Sequence, residues 1–179
     1  LAMLIAQETG DTYRDLMITP NFKISSLNRI LLDLDDSESH MVLLDEIHNL
    51  TRSQQHYLYS ILQEGQISHD NGKVTPLEAN VTFIGATTEP GRLTKSLYDR
   101  FDIVHRFINY TDDEMAQIVT MLADRLGVPM SEDEAKALGR AAAGTPRQAR
   151  TLVLAARDLG TANPDMVFHM CGITKDGLT

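Results

Sequence analysis

Two adjacent carboxylates, Asp45 and Glu46, directly follow the short apolar run of residues 41–44. A run this short and apolar predicts a central strand of a parallel sheet, and such sheets bind ligands at the carboxyl ends of their strands. At that edge one carboxylate can hold a hydrated Mg²⁺ ion while the other orients and polarises an attacking water molecule. Taken alone, the pair is better explained as the start of a helix, whose first turn favours acidic residues.

Thr87 and Thr88 follow a second apolar run, residues 81–86, and therefore predict hydroxyl groups at the end of another strand. A threonine at such a strand end can contact a bound ligand, because parallel sheets bind ligands at the carboxyl ends of their strands. Its spacing to a later arginine favours Thr88 over Thr87. Polar residues also commonly end strands for structural reasons alone.

Two arginines have the chemistry to bind a phosphoryl group. Arg100 lies in a short amphipathic turn, and a guanidinium stays charged and grips phosphoryl oxygens with a rigid fork. A surface ion pair with Asp99 would explain the same residue without any function. Arg147 falls in the first turn of a helix that opens with a Thr-Pro start signal, where backbone N–H groups favour an anion. Arg150 and Arg157 on the same face are interpreted as solvated.

The elements that must position these residues change in kind along the chain. Through residues 1–110 apolar runs alternate with helical patterns, which predicts an α/β fold with a parallel sheet covered by helices. Strands are expected within residues 15–19, 41–44, 81–86 and 103–110, with a tight hairpin at Asn71-Gly72.

From Thr111 onward the pattern is helical only. The pairs Thr111 with Glu114 and Ser131 with Glu134 are capping boxes that start two helices. We therefore expect a small all-α lid over residues 111–172 and a boundary near Tyr110, with a linker beginning at residues 173–179.

Composition excludes several classes of protein. The chain has 179 residues, is 42% hydrophobic and carries a formal charge of −9, so it can form a core but has no overall basic surface for nucleic acid. Its single cysteine, Cys171, excludes an internal disulfide and is interpreted as inert. The apolar opening, residues 1–6, is too short to span a membrane, and we expect a soluble cytoplasmic protein without membrane contact.

The order and spacing of these motifs resemble those of the RuvB family of AAA+ ATPases. The resemblance rests on residues 43–48 (LLDEIH), 83–88 (FIGATT), 97–106 (LYDRFDIVHR) and 144–147 (GTPR), and it covers about residues 1–160. The block 84–101 is the most specific, since clamp loaders end this segment in Ser-Arg-Cys where this chain has Asp-Arg-Phe.

The resemblance implies a role for each candidate residue. Asp45, in the Walker B motif, would bind Mg²⁺, and Glu46 would activate water. Thr88, as sensor 1, and Arg147, as sensor 2, would contact the γ-phosphate of ATP in their own subunit, while Arg100 would act on the neighbouring subunit. The intact protein would be a homo-oligomeric ring, expected to be a hexamer, that acts as a DNA helicase on duplex or branched DNA in Holliday-junction branch migration, recombination and repair.

The chain also departs from the family pattern. No G-x-x-x-x-G-K-[ST] phosphate loop occurs in it, and residues 1–10 match the helix that follows this loop, so we expect a fragment that is inactive by itself. Residues 173–178 resemble the linker to a winged-helix domain. The hairpin at Asn71-Gly72 is shorter than the one with which RuvB contacts RuvA, so a RuvA-like partner is not predicted.

Two other functions remain open from the sequence. One is a RarA-like or clamp-loader ATPase at replication forks, and the other is an AAA+ adaptor that binds partners without hydrolysing ATP.

A last expectation concerns the sheet. In the AAA+ fold the strand before the phosphate loop lies in the middle of the sheet, between the strands expected here at residues 81–86 and 103–110. Because unpaired buried backbone groups are costly, we expect one of three outcomes: the two strands close up, another segment or a neighbouring chain fills the gap, or an upstream piece outside these 179 residues supplies the strand.

Overall fold

The computed structural model describes residues 1–69 and 71–173, and these form two compact units. The first unit runs from Leu1 to Val104 and the second begins at His105, a few residues before the boundary expected near Tyr110. The expected linker lies outside the described residues except for Ile173.

The first unit is a parallel α/β sheet with its helices. Its elements are α1 Ala2–Thr9, β1 Thr12–Met17, α2 Ile24–Leu32, β2 Ser39–Asp45, α3 Arg52–Glu64, β3 Gln66–Ser68, β4 Val74–Pro76, β5 Asn80–Gly85 and α4 Lys95–Tyr98, with short 3₁₀ turns at Ile47–Asn49 and Pro90–Arg92. The expected α/β fold class is confirmed.

β2 is the central strand of a three-stranded parallel sheet with the order β1-β2-β5. Met41, Val42 and Leu44 are buried, so both faces of this strand are covered. The register pairs Asp45 with Met17 and Leu44 with Gly85, which brings the three strand ends to one edge. Side chains of α2 and α3, including Leu27 and Leu58, complete the core around it.

The local signals in this unit are confirmed. Thr51 caps α3 in a full capping box with Gln54. β3 and β4 pair as an antiparallel hairpin in which Ile67 faces Thr75. Tyr57 Oη on α3 lies 2.8 Å from both the Ser68 carbonyl and Asn28 Oδ1, shares its one proton between them, and thereby ties the hairpin to α2 and α3.

The prediction of a strand within residues 103–110 is wrong. This segment forms neither helix nor strand, and Ile103, Phe107 and Ile108 are 75%, 76% and 84% exposed. A strand is stable only beside a partner that completes its backbone hydrogen bonds, and no described strand pairs with this segment. The first of the three expected outcomes, that the two strands close up, is therefore wrong, and β5 is an edge strand of the described sheet.

The second unit is a bundle of helices. Its elements are α5 Asp112–Leu126, α6 Glu132–Ala141, α7 Pro146–Leu159 and α8 Pro164–Cys171. The capping boxes of α5 and α6 are complete, as the sequence predicts. One core encloses the apolar faces of all four helices, with Met115, Val119, Leu138, Leu152, Val153 and Val167 fully buried.

Within the described ranges, no helix is both long and apolar enough to cross a membrane.

Candidate functional site

Asp45 and Glu46 lie where β2 ends and the chain turns away from the sheet. Glu46 has a left-handed backbone conformation, with φ 55° and ψ 42°, which costs a non-glycine residue about 1 to 3 kcal/mol. Two contacts hold this turn: the Glu46 amide donates to Asp45 Oδ1 at 3.0 Å, and the amide of fully buried Ile47 donates to the Ala86 carbonyl at 3.0 Å. Strained backbone of this kind concentrates at functional sites.

Thr87 and Thr88 lie at the end of β5, beside this turn. The Ala86 amide donates to the Leu44 carbonyl at 2.9 Å, so the two strand ends stay in register beyond the sheet. Thr87 Oγ1 accepts a hydrogen bond from the Glu89 amide at 3.0 Å, whereas the exposed Thr88 Oγ1 donates to Glu46 Oε2 at 3.5 Å. Of the two threonines, Thr88 is therefore the one whose hydroxyl faces the Glu46 carboxylate.

His48 is a member of this site to which the sequence assigned no role. Its ring is buried, with the residue only 7% exposed, in the 3₁₀ turn after Glu46. Nδ1 lies 3.2 Å from Glu46 Oε2 and 3.0 Å from Thr87 Oγ1, and Nε2 lies 3.4 Å from Glu89 Oε1. The available signal was a histidine two positions after an acidic pair, but its partners come from a strand end forty residues away.

Arg100 lies on an exposed turn after α4, where it contacts Tyr59 of α3. Its guanidinium is 5.1 Å from the Tyr59 ring centroid, a cation–π contact, and Nη2 donates to Tyr59 Oη at 3.4 Å. In the described chain no hydrogen bond or ion pair links Arg100 to Asp45 or Glu46, and none links it to Asp99.

The turn that carries Arg100 is held against the sheet by its neighbour Phe101. A Cβ on Gly85 would lie 3.0 Å from Phe101 Cζ and 3.2 Å from Ile47 Cδ1. Glycine at the end of β5 thus allows the Phe101 ring to pack over the strand.

Arg147 lies in the second unit, exposed in the first turn of α7. The chain enters this helix through Gly144, whose φ is 74° and whose carbonyl accepts from the Tyr110 amide at 3.3 Å. A Cβ on Gly144 would lie 2.6 Å from Asn109 Cβ, so only glycine fits. The N-cap residue, Thr145, makes no side-chain cap, which leaves the first-turn amides of α7 without a bond from it.

The donor set fits a nucleotide-bound Mg²⁺ ion better than a metal held by protein alone. No group of three or more His, Cys, Asp or Glu residues that could hold a metal occurs in the parts of the chain described. Mg²⁺ in phosphoryl-transfer sites commonly takes one or two carboxylates and completes its shell with water and phosphate oxygens. Asp45 offers such a carboxylate: its Oδ1 is bonded to the Glu46 amide, and Oδ2 has no hydrogen-bond partner among the described residues.

A parallel sheet with an acidic pair at one strand end, a threonine at the next and a following helical unit defines an AAA+ protein of the P-loop class. Residues 1–107 match the family described as the Holliday junction DNA helicase RuvB P-loop domain, and the chain belongs to that family.

Individual relatives agree with this assignment. The Holliday junction branch migration complex subunit RuvB of Chloroflexus aurantiacus is 35% identical over 164 residues, which is 88% of this chain and 46% of the relative. RuvB of Chloroflexus aggregans gives the same figures. This chain thus spans about half the length of these relatives.

Solved structures give the same result. The Thermotoga maritima RuvB Holliday junction branch migration motor superposes with a TM-score of 0.83 and 27% identity, over 99% of this chain and 59% of that one. NtrX from Brucella abortus in complex with ATP has a TM-score of 0.65 at 15% identity, over 97% of this chain and 50% of that one, and so shares the fold.

Proposed function

We propose that this chain is the nucleotide-hydrolysing part of a RuvB-type motor, which couples ATP hydrolysis to movement along duplex or branched DNA in Holliday-junction branch migration, recombination and repair. The observation that carries the proposal is the meeting of Asp45, Glu46 and Thr88 at neighbouring strand ends in a chain of the RuvB family. Relatives named as branch migration subunits support it.

Each residue has one task in this proposal. Asp45 holds the Mg²⁺ ion that comes with ATP and neutralises charge on the phosphates. Glu46 orients and polarises the attacking water, and Thr88 and Arg147 contact the γ-phosphate within the same subunit. Arg100 meets the charge that develops in the active site of the neighbouring subunit. Its exposure, and its lack of any bond to the two carboxylates, suit an action across subunits.

The proposal includes a homo-oligomeric ring, expected to be a hexamer, in the cytoplasm. With a formal charge of −9, we expect this part of the protein to make few and local DNA contacts. The hairpin of β3 and β4 has only three residues in each strand, and a RuvA-like partner is not part of the proposal.

The gene sequence on both sides of the chain is the first test. A G-x-x-x-x-G-K-[ST] motif directly ahead of Leu1 supports a motor, and its absence from the gene favours the adaptor that does not hydrolyse ATP. A winged helix encoded after residue 179 favours a RuvB-type motor over a RarA-like or clamp-loader ATPase.

A second test uses the 179-residue chain itself. Because amides of the glycine-rich loop and its lysine supply most triphosphate affinity in P-loop proteins, we expect this chain alone neither to bind nor to hydrolyse ATP measurably. Calorimetric titration with Mg²⁺-ATP measures the affinity, with the complete gene product as control. Micromolar affinity of the chain alone would contradict this expectation.

The third test separates action within a subunit from action across subunits. In the complete gene product, Arg100→Ala should abolish hydrolysis while nucleotide binding stays nearly intact, because the arginine meets charge that grows only in the transition state. Mixing Arg100→Ala subunits with Glu46→Gln subunits should restore part of the activity, since some interfaces then pair an intact arginine with an intact glutamate. Full turnover by Arg100→Ala alone would exclude the assigned role.

A further inference from the structure

His48 lies between two carboxylates at the candidate site. Its Nδ1 faces Glu46 Oε2 at 3.2 Å, and its Nε2 faces Glu89 Oε1 at 3.4 Å on the opposite side of the ring. The ring is buried, while the two glutamate side chains are 36% and 54% exposed. The least mobile group of the three is therefore the histidine.

The partners of the two ring nitrogens determine how His48 can act on Glu46. The hydrogen bond of Nδ1 is with Thr87 Oγ1 at 3.0 Å, and Glu46 Oε2 lies 3.2 Å from the same nitrogen, at ion-pair distance. Thr87 Oγ1, which is 3.0 Å from the same nitrogen, already accepts from the Glu89 amide at 3.0 Å. Thr87 and Glu89 thus contact opposite sides of the ring, and Glu46 Oε2 lies against its Nδ1 side.

The Glu46 side chain needs such support because few contacts fix its direction. The residue is in the left-handed region at a chain turn, and its only other side-chain contact among the described residues is with the exposed Thr88 hydroxyl at 3.5 Å, the outer limit of a hydrogen bond. A general base that drifts by about 1 Å can lose about a hundredfold in rate.

We propose that His48 is a positioning residue for Glu46. The Nδ1 edge of its buried ring lies against Oε2 of the glutamate and limits where that carboxylate can move, and Thr87 with Glu89 keeps the ring in place. This role rests on the proposed function, because it matters only if Glu46 activates water.

The contact itself can be tested in the 179-residue chain without any activity. Nitrogen-detected NMR on histidine-labelled protein resolves the ring nitrogens of the six histidines. Glu46→Ala should shift the Nδ1 resonance of His48 and leave that of His40 unchanged. His40 is an internal control because it is also buried in this unit, where its Nε2 contacts the Asp35 carbonyl at 2.9 Å. A His48 Nδ1 resonance that does not move would overturn the proposal.

The catalytic consequence is tested in the complete gene product. His48→Ala should lower kcat by about 10- to 100-fold with KM and nucleotide affinity nearly unchanged, since the group that it positions acts on water. His48→Asn, whose amide nitrogen can occupy the position of Nδ1, should recover most of this loss. His48→Gln, which mimics Nε2 instead, should not. The matched control His40→Asn should leave kcat per folded subunit unchanged.

Mixed rings distinguish positioning from general damage to the fold. His48→Ala subunits keep an intact Arg100, so mixing them with Arg100→Ala subunits should restore part of the activity. A loss of kcat with no recovery by His48→Asn and no restoration in mixed rings would overturn the positioning role. A wild-type gene product without ATPase activity would instead overturn the proposed function, and the positioning role with it.

Discussion

The two units of the chain differ in how completely residues of the same unit supply their hydrogen bonds and bury their apolar side chains. In the second unit, α5 and α6 both begin with full capping boxes, and one core encloses the apolar faces of all four helices. In the first unit, β5 is an edge strand of the described sheet, and none of its residues is fully buried. The acidic pair, the threonines and His48 all belong to this less complete unit.

The difference follows from the kind of hydrogen bonding in each unit. A helix satisfies its backbone within itself, so four helices with complementary apolar faces need no further segment. A sheet strand satisfies one side of its backbone only through another strand, and an exposed edge invites pairing with other chains. We therefore expect the helical unit to be the more self-sufficient one.

Separating the units tests this comparison most strongly. A fragment of residues 105–179 should fold and unfold cooperatively, whereas residues 1–104 should aggregate, because the open edge of β5 and the partly exposed apolar side chains beside it favour association. Circular dichroism during heating and light scattering at equal concentrations measure the two properties. A stable monomer of residues 1–104 beside an unfolded helical fragment would reverse the comparison.

Single substitutions of glycine should show a smaller contrast between the units, with the larger loss of stability in the second unit. Gly144→Ala places a Cβ 2.6 Å from Asn109 Cβ at a φ of 74°, and should lower the free energy of unfolding of the second unit by about 2 to 4 kcal/mol. Gly85→Ala meets only the end of the Phe101 ring and the Ile47 side chain, at 3.0 and 3.2 Å, which can shift. It should cost about 1 kcal/mol.

Gly160→Ala is the matched control for Gly144→Ala. Its φ is 68°, but a Cβ there would meet no atom within 4 Å, so it should show the backbone cost of about 1 kcal/mol without the collision. Hydrogen exchange followed by mass spectrometry reports the stability of each unit separately. Equal effects of Gly144→Ala and Gly160→Ala would show that the packing at Asn109 is loose.

Local signals in the sequence were sufficient for much of the fold. Thr51, Thr111 and Ser131 cap their helices as predicted, because a capping box needs only residues three positions apart. The central position of β2 and the hairpin at Asn71-Gly72 likewise follow from short stretches of sequence.

The remaining features depend on residues that are distant in sequence. The segment 103–110 has the composition of a strand, yet composition does not supply a partner. The contact of Arg100 with Tyr59 joins two elements 41 residues apart. His48 is two positions from Glu46 in the sequence. Its ring, however, contacts Thr87 and Glu89, which follow β5, and no local pattern indicates these contacts.

The capping boxes provide the finest contrast between the units. In the first unit the third helical residue of the box is Gln54, which does not titrate, whereas in the second unit it is Glu114 or Glu134. The backbone amide and then the hydroxyl of Thr111 lower the pKa of the Glu114 carboxyl below its ordinary value of 4.5. Ser131 lowers the pKa of Glu134 in the same way and order.

Acid should therefore weaken the caps of the second unit selectively. A carboxyl whose pKa is lower in the folded chain contributes stability in full above its unfolded value of about 4.5, and this contribution is lost as the pH falls through the folded pKa.

In the fragment of residues 105–179, the double variant Glu114→Gln and Glu134→Gln should lose less stability than the parent between about pH 6 and about pH 3. Urea unfolding followed by circular dichroism at each pH measures the difference, and the other carboxyls cancel because both fragments contain them. Glu114 is exposed and Glu134 only half-buried, so we expect the smallest effect of the series here. In the whole chain the reverse change, Gln54→Glu, should give the first unit the same sensitivity. Identical pH dependence in the parent and the double variant would mean that the two glutamates do not cap their helices in solution.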